Sequence, residues 1–327
     1  MKVLRYLIRK LLRLVLLLFT ISVLSFTLVS LSPIDPVQAY VGAEMMRIGP
    51  EQRQRIAERW GLNDPPVVRY MRWLSSLMRG DLGTSAIYNQ PVSQVIRQRF
   101  LTSLGLMGTA WVLSGVLGFL LGVLSGARAG SWIDQVIRFY AYLLASTPAF
   151  WLALLLLIVF AVFLKWAPVC CATPPGLLPE QVTFAQRLHH LALPALTLSI
   201  IGIANITLHT RQKLITILNS DYILFARAQG ENLFGLIWHH GLRNIALPAI
   251  TLQFASISEL FGGSVLAEQV FAYPGLGQAT VQAGLRGDVP LLLGIVLFST
   301  LFVFTGNTIA DILYHLIDPR IRLGVES

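Results

Sequence analysis

Six stretches of the chain are apolar for long enough to predict one helix each: about 14 to 32, 102 to 126, 137 to 164, 191 to 209, 247 to 270 and 290 to 316. A run of roughly 20 residues at 1.5 Å rise crosses the ~30 Å hydrocarbon core of a bilayer. Between the first two runs, residues 33 to 101 alternate apolar and polar positions with Pro, Gly and Asp punctuation, as in "GLNDPPVVRYMRWLSSLMRGDLGTS". This pattern predicts a folded helical insert. Pro148, inside the third run, predicts a bend or break. Pro194 and Pro248 fall near the starts of the fourth and fifth runs and read as first-turn residues, where a missing N–H costs little.

Composition makes the runs membrane spans. The 327 residues are 55% hydrophobic and 13% charged, with a mean hydropathy of +0.66, outside the soluble range. The expected fold is an all-α membrane protein with six transmembrane helices in one domain covering 1 to 327. The first run is read as a retained span: about 19 apolar-rich residues exceed a signal-peptide core, although Val37-Gln38-Ala39 offers a small-residue site.

Charge sets the orientation. Lys2, Arg5, Arg9, Lys10 and Arg13 precede the first span, and Arg128 and Arg138 follow the second. Arg211, Lys213, Arg227 and Arg243 follow the fourth; Arg320 and Arg322 follow the sixth. The short loops on the other side hold Lys165, Arg187 and Arg286. By the positive-inside rule both termini are cytoplasmic, and the long insert, despite nine arginines, is outside because long loops cross regardless of charge. The net charge of +9 is scattered rather than gathered with stacking aromatics, so no nucleic-acid partner is expected. Cys170 and Cys171 are adjacent and are expected to be free, with no metal site.

Polar residues inside the spans are candidates for function. Glu259 lies near the middle of "ITLQFASISELFGGSVLAEQVF", a run rich in Gln, Ser and Gly that packs on helices or water rather than lipid. Gln253, Ser256 and Glu259 are read as the wall of a translocation path. Glu268 and Asp311 are read as internally paired or near a span end. "DYILFARAQGENLFGLIWHHGLRNIALP", residues 221 to 248, is a long, basic and oily segment between spans four and five. Ser220 or Asp221 can cap a short helix stopped by Gly230, and Asn232 a second one ended by Gly241. These helices are expected to expose Ile223, Leu224, Phe225, Leu233, Phe234, Ile237 and Trp238. That apolar surface needs a cover: the membrane interface, the protein's own spans, or a soluble partner.

The Ala226-x-Ala228-x-Gly230 turn followed by "LRNIALP" resembles the cytoplasmic loop of binding-protein-dependent ABC transporter permeases of the dipeptide, oligopeptide and nickel subfamily. The likeness runs along the chain: "VLRYLIRKLLRLVLLL", "SPIDPV", "RGDLGTS", "PVSQVI", "STPAFWLALLLL", "LHHLALPALTL", "GGSVLAEQVFAYPGLGQ" and "DPRIR" are similar to family motifs in order. The glutamate of the general Glu-Ala-Ala pattern stands here as Leu224, followed by Phe225 and Ala226. The short loop from 165 to 189 looks more like nickel members than the longest dipeptide ones. The resemblance implies a type I ABC importer permease fold in a bacterial cytoplasmic (inner) membrane. It implies that about 210 to 246 forms an ATPase-coupling loop, with Asp221, Phe225, Ala226, Arg227, Ala228, Gly230, Arg243 and Asn244 meeting a cleft on an ATP-binding subunit. It further implies a heterodimer with a second related permease, two ATP-binding subunits and an external solute-binding protein. The insert and the turn of Tyr273, Pro274, Gly275 and Gly277 are its expected contacts.

The chain is not expected to bind ATP itself. A P-loop places a lysine directly after glycine, whereas Lys2, Lys10, Lys165 and Lys213 follow Met1, Arg9, Leu164 and Gln212. No cofactor is expected on this chain, with ATP and Mg held by the partner ATPases, and alternating access moves short peptides, nickel or a metal chelate. A proton-coupled secondary transporter is the alternative; it would want internal repeats and titratable groups in both halves, and no clear repeat is found. A membrane enzyme is disfavoured because His189-His190 and His239-His240 are adjacent pairs pointing apart on a helix, with no HExxH or Gly-x-Ser-x-Gly present.

Overall fold

The computed structural model describes residues 2–31, 49, 51, 54–55, 64–177 and 180–317. Val37-Gln38-Ala39, "SPIDPV", "DPRIR", Arg320 and Arg322 lie outside them. The described elements are α1 (Lys2–Ser30), α2 (Pro66–Met78), α3 (Val92–Ala127), α4 (Trp132–Ser146) and α5 (Ala149–Phe163). There follow α6 (Phe184–Leu218), α7 (Asp221–Ala228), α8 (Leu233–Ala255), α9 (Ile257–Val270), α10 (Leu276–Arg286) and α11 (Val289–Ile317). A lone bridge joins Thr84 to Pro91. Among the described residues α1, α3, α6 and α11 are each long and apolar enough to cross a bilayer; α4 with α5, and α8 with α9, are pairs bent by 109° and 51° that reach this length and apolarity together, which brings the count to six if each pair is one span. Two compact units comprise Met1–Thr102 with Gly275–Phe304, and Ser103–Pro274 with Thr305–Ser327.

In the second unit α3 lies against α6 along a glycine stripe. A Cβ on Gly118 would meet Ile206 at 2.8 Å, and one on Gly122 would meet Thr210 Cβ at 2.6 Å and the Thr207 carbonyl at 2.8 Å. Between spans, where lipid is as apolar as leucine, such close backbone approach supplies the dispersion and weak polar contacts that drive association. Thr207 adds a hydrogen bond from its hydroxyl to the Gly118 carbonyl at 3.2 Å.

The stripe ends at an ion pair. Arg211 of α6 donates from Nε and Nη2 to the two carboxylate oxygens of Asp134 on α4 at 2.6 and 2.8 Å. Ser125 of α3 donates to the same carboxylate at 2.6 Å, and the Gly130 amide at 2.9 Å. Asp134 is fully buried, so this bidentate pairing offsets a desolvation cost that a lone carboxylate cannot bear. Glu268 is likewise internal: it is buried and accepts from Ser103 at 2.6 Å.

In the first unit Gly294 of α11 lets Val92 of α3 approach to where a Cβ would meet it at 2.6 Å. Asp288 caps α11 through the Leu291 amide and also accepts from Ser85 Oγ at 2.6 Å and the Ile87 amide at 3.0 Å. One buried carboxylate therefore fastens the turn of the insert. α2 rests on α1 through Phe26, Tyr70 and Trp73, with Ser22 Oγ and the Tyr70 hydroxyl 2.8 Å apart.

Four expectations change. Cys170 and Cys171 are bonded to each other rather than free, in a turn with Cys171 at φ 73°; the Cys171 amide donates to the Phe271 carbonyl at 3.0 Å, and His190 Nδ1 lies 3.1 Å from both cysteine carbonyls. Pro194 and Pro248 sit inside α6 and α8 rather than in first turns, because each helix begins well before its apolar run: Thr183 and Gln186 form a capping box for α6, and Asn232 caps α8. Gly241 does not end a helix; with φ −75° and ψ −58° it continues into the rest of α8 after a widened π turn at Leu236–Gly241. Ile223 is buried rather than exposed. Pro148, by contrast, does break its span, between α4 and α5.

Two outcomes test this packing. Gly122→Leu is expected to cost about 1–3 kcal/mol by overpacking and to lower the temperature at which the detergent-solubilised protein aggregates; Gly108→Leu, with nothing within 4 Å of its Cβ, leaves it unchanged. Asp134→Ala strands a mostly buried guanidinium and is expected to cost about 3 kcal/mol, whereas Asp134→Ala with Arg211→Ala together cost less than the sum, read as thermal stability in a double-mutant cycle.

Candidate functional site

The segment after α6 folds onto the end of that helix. Leu214, Ile217 and Leu218 of α6, Ile223 and Ala226 of α7, and Leu236 and Ile245 of α8 form one buried cluster, joined by Phe119, Val123 and Ala127 of α3. α7 ends in a Schellman motif: the Gly230 amide donates to the Arg227 carbonyl at 3.0 Å and the Glu231 amide to the Ala226 carbonyl at 3.3 Å. Gly230 has φ 92°, which a side chain resists and glycine adopts freely. Glu231 then clamps the next helix, its two oxygens accepting from His239 Nδ1 at 2.8 Å and His240 Nε2 at 3.0 Å. These bonds hold its carboxyl below the usual range, His239 contributing most.

With the inner face spent on the cluster, the outer face is apolar and bare. Phe225 is 66% exposed, Phe234 74% and Trp238 61%, and the last two rings lie nearly parallel with centroids 6.1 Å apart. Asp221, Arg227, Ala228, Arg243 and Asn244 are also exposed, while Ala226 is buried beneath them. Asn244 donates to the His240 carbonyl at 2.8 Å. The three covers left open by the sequence therefore divide: Ile223 and Leu236 are covered by the protein's own helices, and Phe225, Phe234 and Trp238 are not.

A cavity of about 380 Å³ lies in the same unit against the α8–α9 bend. Ser256, at the bend, Glu259, Asn205 and Thr197 supply its polar lining, and alanines and glycines such as Ala149, Gly202 and Gly263 its small residues. Gln253 does not face it. Its amide donates to the Trp111 carbonyl and to Ser114 Oγ at 3.1 Å, and Trp111 Nε1 donates back to the Gln253 carbonyl at 2.8 Å. Gln253 is a pin between α3 and α8, about one helical turn from the cavity-lining Ser256.

The turn of Tyr273, Pro274, Gly275 and Gly277 is not a bare face. Tyr273, Gly275 and Gly277 are buried and Pro274 is half-buried. The Tyr273 amide donates to the Glu268 carbonyl at 2.8 Å, and burial, followed by the charge of Glu268, pushes its phenol up to about 12. Sequence reasoning missed the Asp134–Arg211 pair and the Glu231 clamp, because partners 77 and eight residues apart show no helical spacing.

Two family models match. Residues 118–323 match the binding-protein-dependent transport system inner membrane component, and residues 3–107 match the N-terminal part of such membrane components. Among curated proteins, the oligopeptide transport system permease AppB of Bacillus subtilis is 37% identical over 318 residues, 97% of this chain and 99% of that one. A protein named as a peptide transport system permease in Brucella abortus is 35% identical over 302 residues, 92% of this chain and 94% of that one. Among solved structures, a chain of the inward-facing MetNI methionine ABC transporter matches with a TM-score of 0.56 at 15% identity, covering 69% of this chain and 97% of that one, a likeness of fold. With full-length relatives of this kind and six candidate spans carrying a bare aromatic loop, the chain belongs to the family of inner-membrane permease components of binding-protein-dependent ABC importers.

Proposed function

We propose that this permease moves short peptides inward across a bacterial inner membrane, using ATP that other subunits hydrolyse. The observation that carries the reading is the bare surface of Phe225, Phe234 and Trp238 on a loop packed onto the end of α6. Two ATP-binding subunits, holding ATP and Mg, supply the motor; one of them receives the 221–248 loop of this chain and the other that of a second, related permease. An external solute-binding protein delivers cargo to the side that carries the insert, and both termini lie in the cytoplasm. Peptide cargo is favoured over nickel or a metal chelate because the full-length relatives are named for peptides or oligopeptides, and among the described residues no group of three metal-ligating side chains occurs.

Mechanism follows from attachment. When two ATPases close on nucleotide they draw the attached loops together. The loop is bound to α6 by the apolar cluster and continues unbroken into α8, so its displacement reaches the α8–α9 bend. Ser256 and Glu259 there face the cavity, which the second permease completes as a path open alternately to each side.

Gly230→Asp, which forces a side chain into the left-handed region, and Arg227→Glu are expected to abolish peptide-stimulated ATPase activity and labelled-dipeptide uptake while membrane insertion stays normal. Normal import by either variant in the assembled complex overturns the docking assignment. Glu259→Leu is expected to alter uptake several-fold, on the order of 1 kcal/mol, with wild-type amounts of complex. Glu268→Leu instead leaves Ser103 facing an apolar side chain and lowers the amount of folded protein on a membrane immunoblot.

A further inference from the structure

Outside the coupling loop and the pathway cavity, one unexplained feature is a groove in the first unit. α1 is attached at two points: Ser22 and Phe26 meet Tyr70 and Trp73 of α2, and Lys10 Nζ lies 5.9 Å from the centroid of Phe304 on α11. Between these points a groove of about 920 Å³ opens, walled by α1, α2, α3 and α11. Leu18, Phe19, Ile96, Phe100, Leu297 and Leu301 give it an almost wholly apolar lining, and Arg97 is its one cation. Arg97 is exposed and makes no ion pair among the described residues.

We propose that this groove holds a phospholipid, one acyl chain lying along α1 and the phosphate on Arg97. Three observations select a lipid over a helix. Where α3 receives α6, the contact is a stripe of glycines, Gly118, Gly122 and Gly126, as close backbone packing in a membrane favours; the groove is lined mainly by large side chains with room between them. The lone cation has a matched counter-charge in a phosphate, and a second apolar helix offers it none. Its height also fits. Arg97 sits in the second turn of α3, at the end of the bundle where Tyr70 and Trp73 lie, and such rings gather at headgroup level. From there the groove runs toward Leu101 and Leu301, down into the hydrocarbon.

In the assembled complex extracted in detergent, phosphatidylglycerol is added and its retention after dilution is counted by native mass spectrometry. The wild-type complex is expected to retain it. Arg97→Gln weakens retention roughly fivefold, the scale of one basic residue at a lipid surface, Leu18→Trp with Leu297→Trp abolishes it, and Arg128→Gln on another surface has no effect. Wild-type retention by both groove variants overturns the proposal. A photo-reactive residue at Leu297, activated in the membrane-embedded complex, is expected to capture phospholipid; capture of the second permease chain instead overturns it.

Discussion

Arg211 and Asp134 meet at 2.6 Å inside the bundle, and the mechanical integrity of the permease rests on what that contact holds. With Ser125 and the Gly130 amide it ties three helices, α3, α4 and α6, at the end that bears the 221–248 segment. Above it the glycine stripe keeps α3 and α6 within backbone contact; below it Leu214, Ile217 and Leu218 receive the loop itself. A charge pair suits that place because it is directional. Apolar packing between spans tolerates sliding, whereas two parallel hydrogen bonds to one carboxylate resist rotation of one helix past another. Under the proposed mechanism, force delivered to the loop is thereby passed on as movement of a body rather than lost in side-chain rearrangement.

Much of the architecture was legible because the membrane leaves few choices. Unpaired backbone in hydrocarbon is so costly that apolar runs of span length become helices, and among the described residues the six runs fall on helices, the third broken at Thr147–Pro148 and the fifth at Ser256. Where the helices end was less legible. α6 starts at Phe184, ahead of its apolar run, because the Thr183–Gln186 capping box sets the start and polarity does not. Pro194 and Pro248 consequently fall inside helices, and Gly241 passes through one, since local propensity costs of about 3 kcal/mol for proline and about 1 kcal/mol for glycine yield to tertiary packing. Pro148 kept its predicted effect because Thr147 ahead of it adopts an extended conformation, as a residue before proline is driven to do.

At the sites, local chemistry was legible and partnership was not. Gly230 in a left-handed turn and Asn232 as a cap follow from three or four neighbouring residues. Glu259 against Gln253 did not: both lie in one run rich in small and polar residues, and only the bend at Ser256 turns the first toward the cavity and leaves the second against Trp111 and Ser114. Ile223 beside Phe225 shows the same limit. Two residues apart on an oily helix, one closes the cluster and the other stands bare. The adjacent cysteines illustrate a different one, since joining neighbours encloses almost no chain and adds little by loop entropy. Their bond shapes a turn beside Phe271 and His190 rather than stapling the fold.

The 51° bend between α8 and α9 gives the span the geometry of an elbow. In a straight rod, thrust at one tip emerges as thrust at the other, and an aperture would need to rise or sink through the bilayer to respond. Across an elbow, axial thrust arrives largely as a sideways swing, in the plane of the membrane, where lipids give way most easily. Under the proposed mechanism, an aperture operated in this way opens by parting laterally, and its residues keep their depth while they do so.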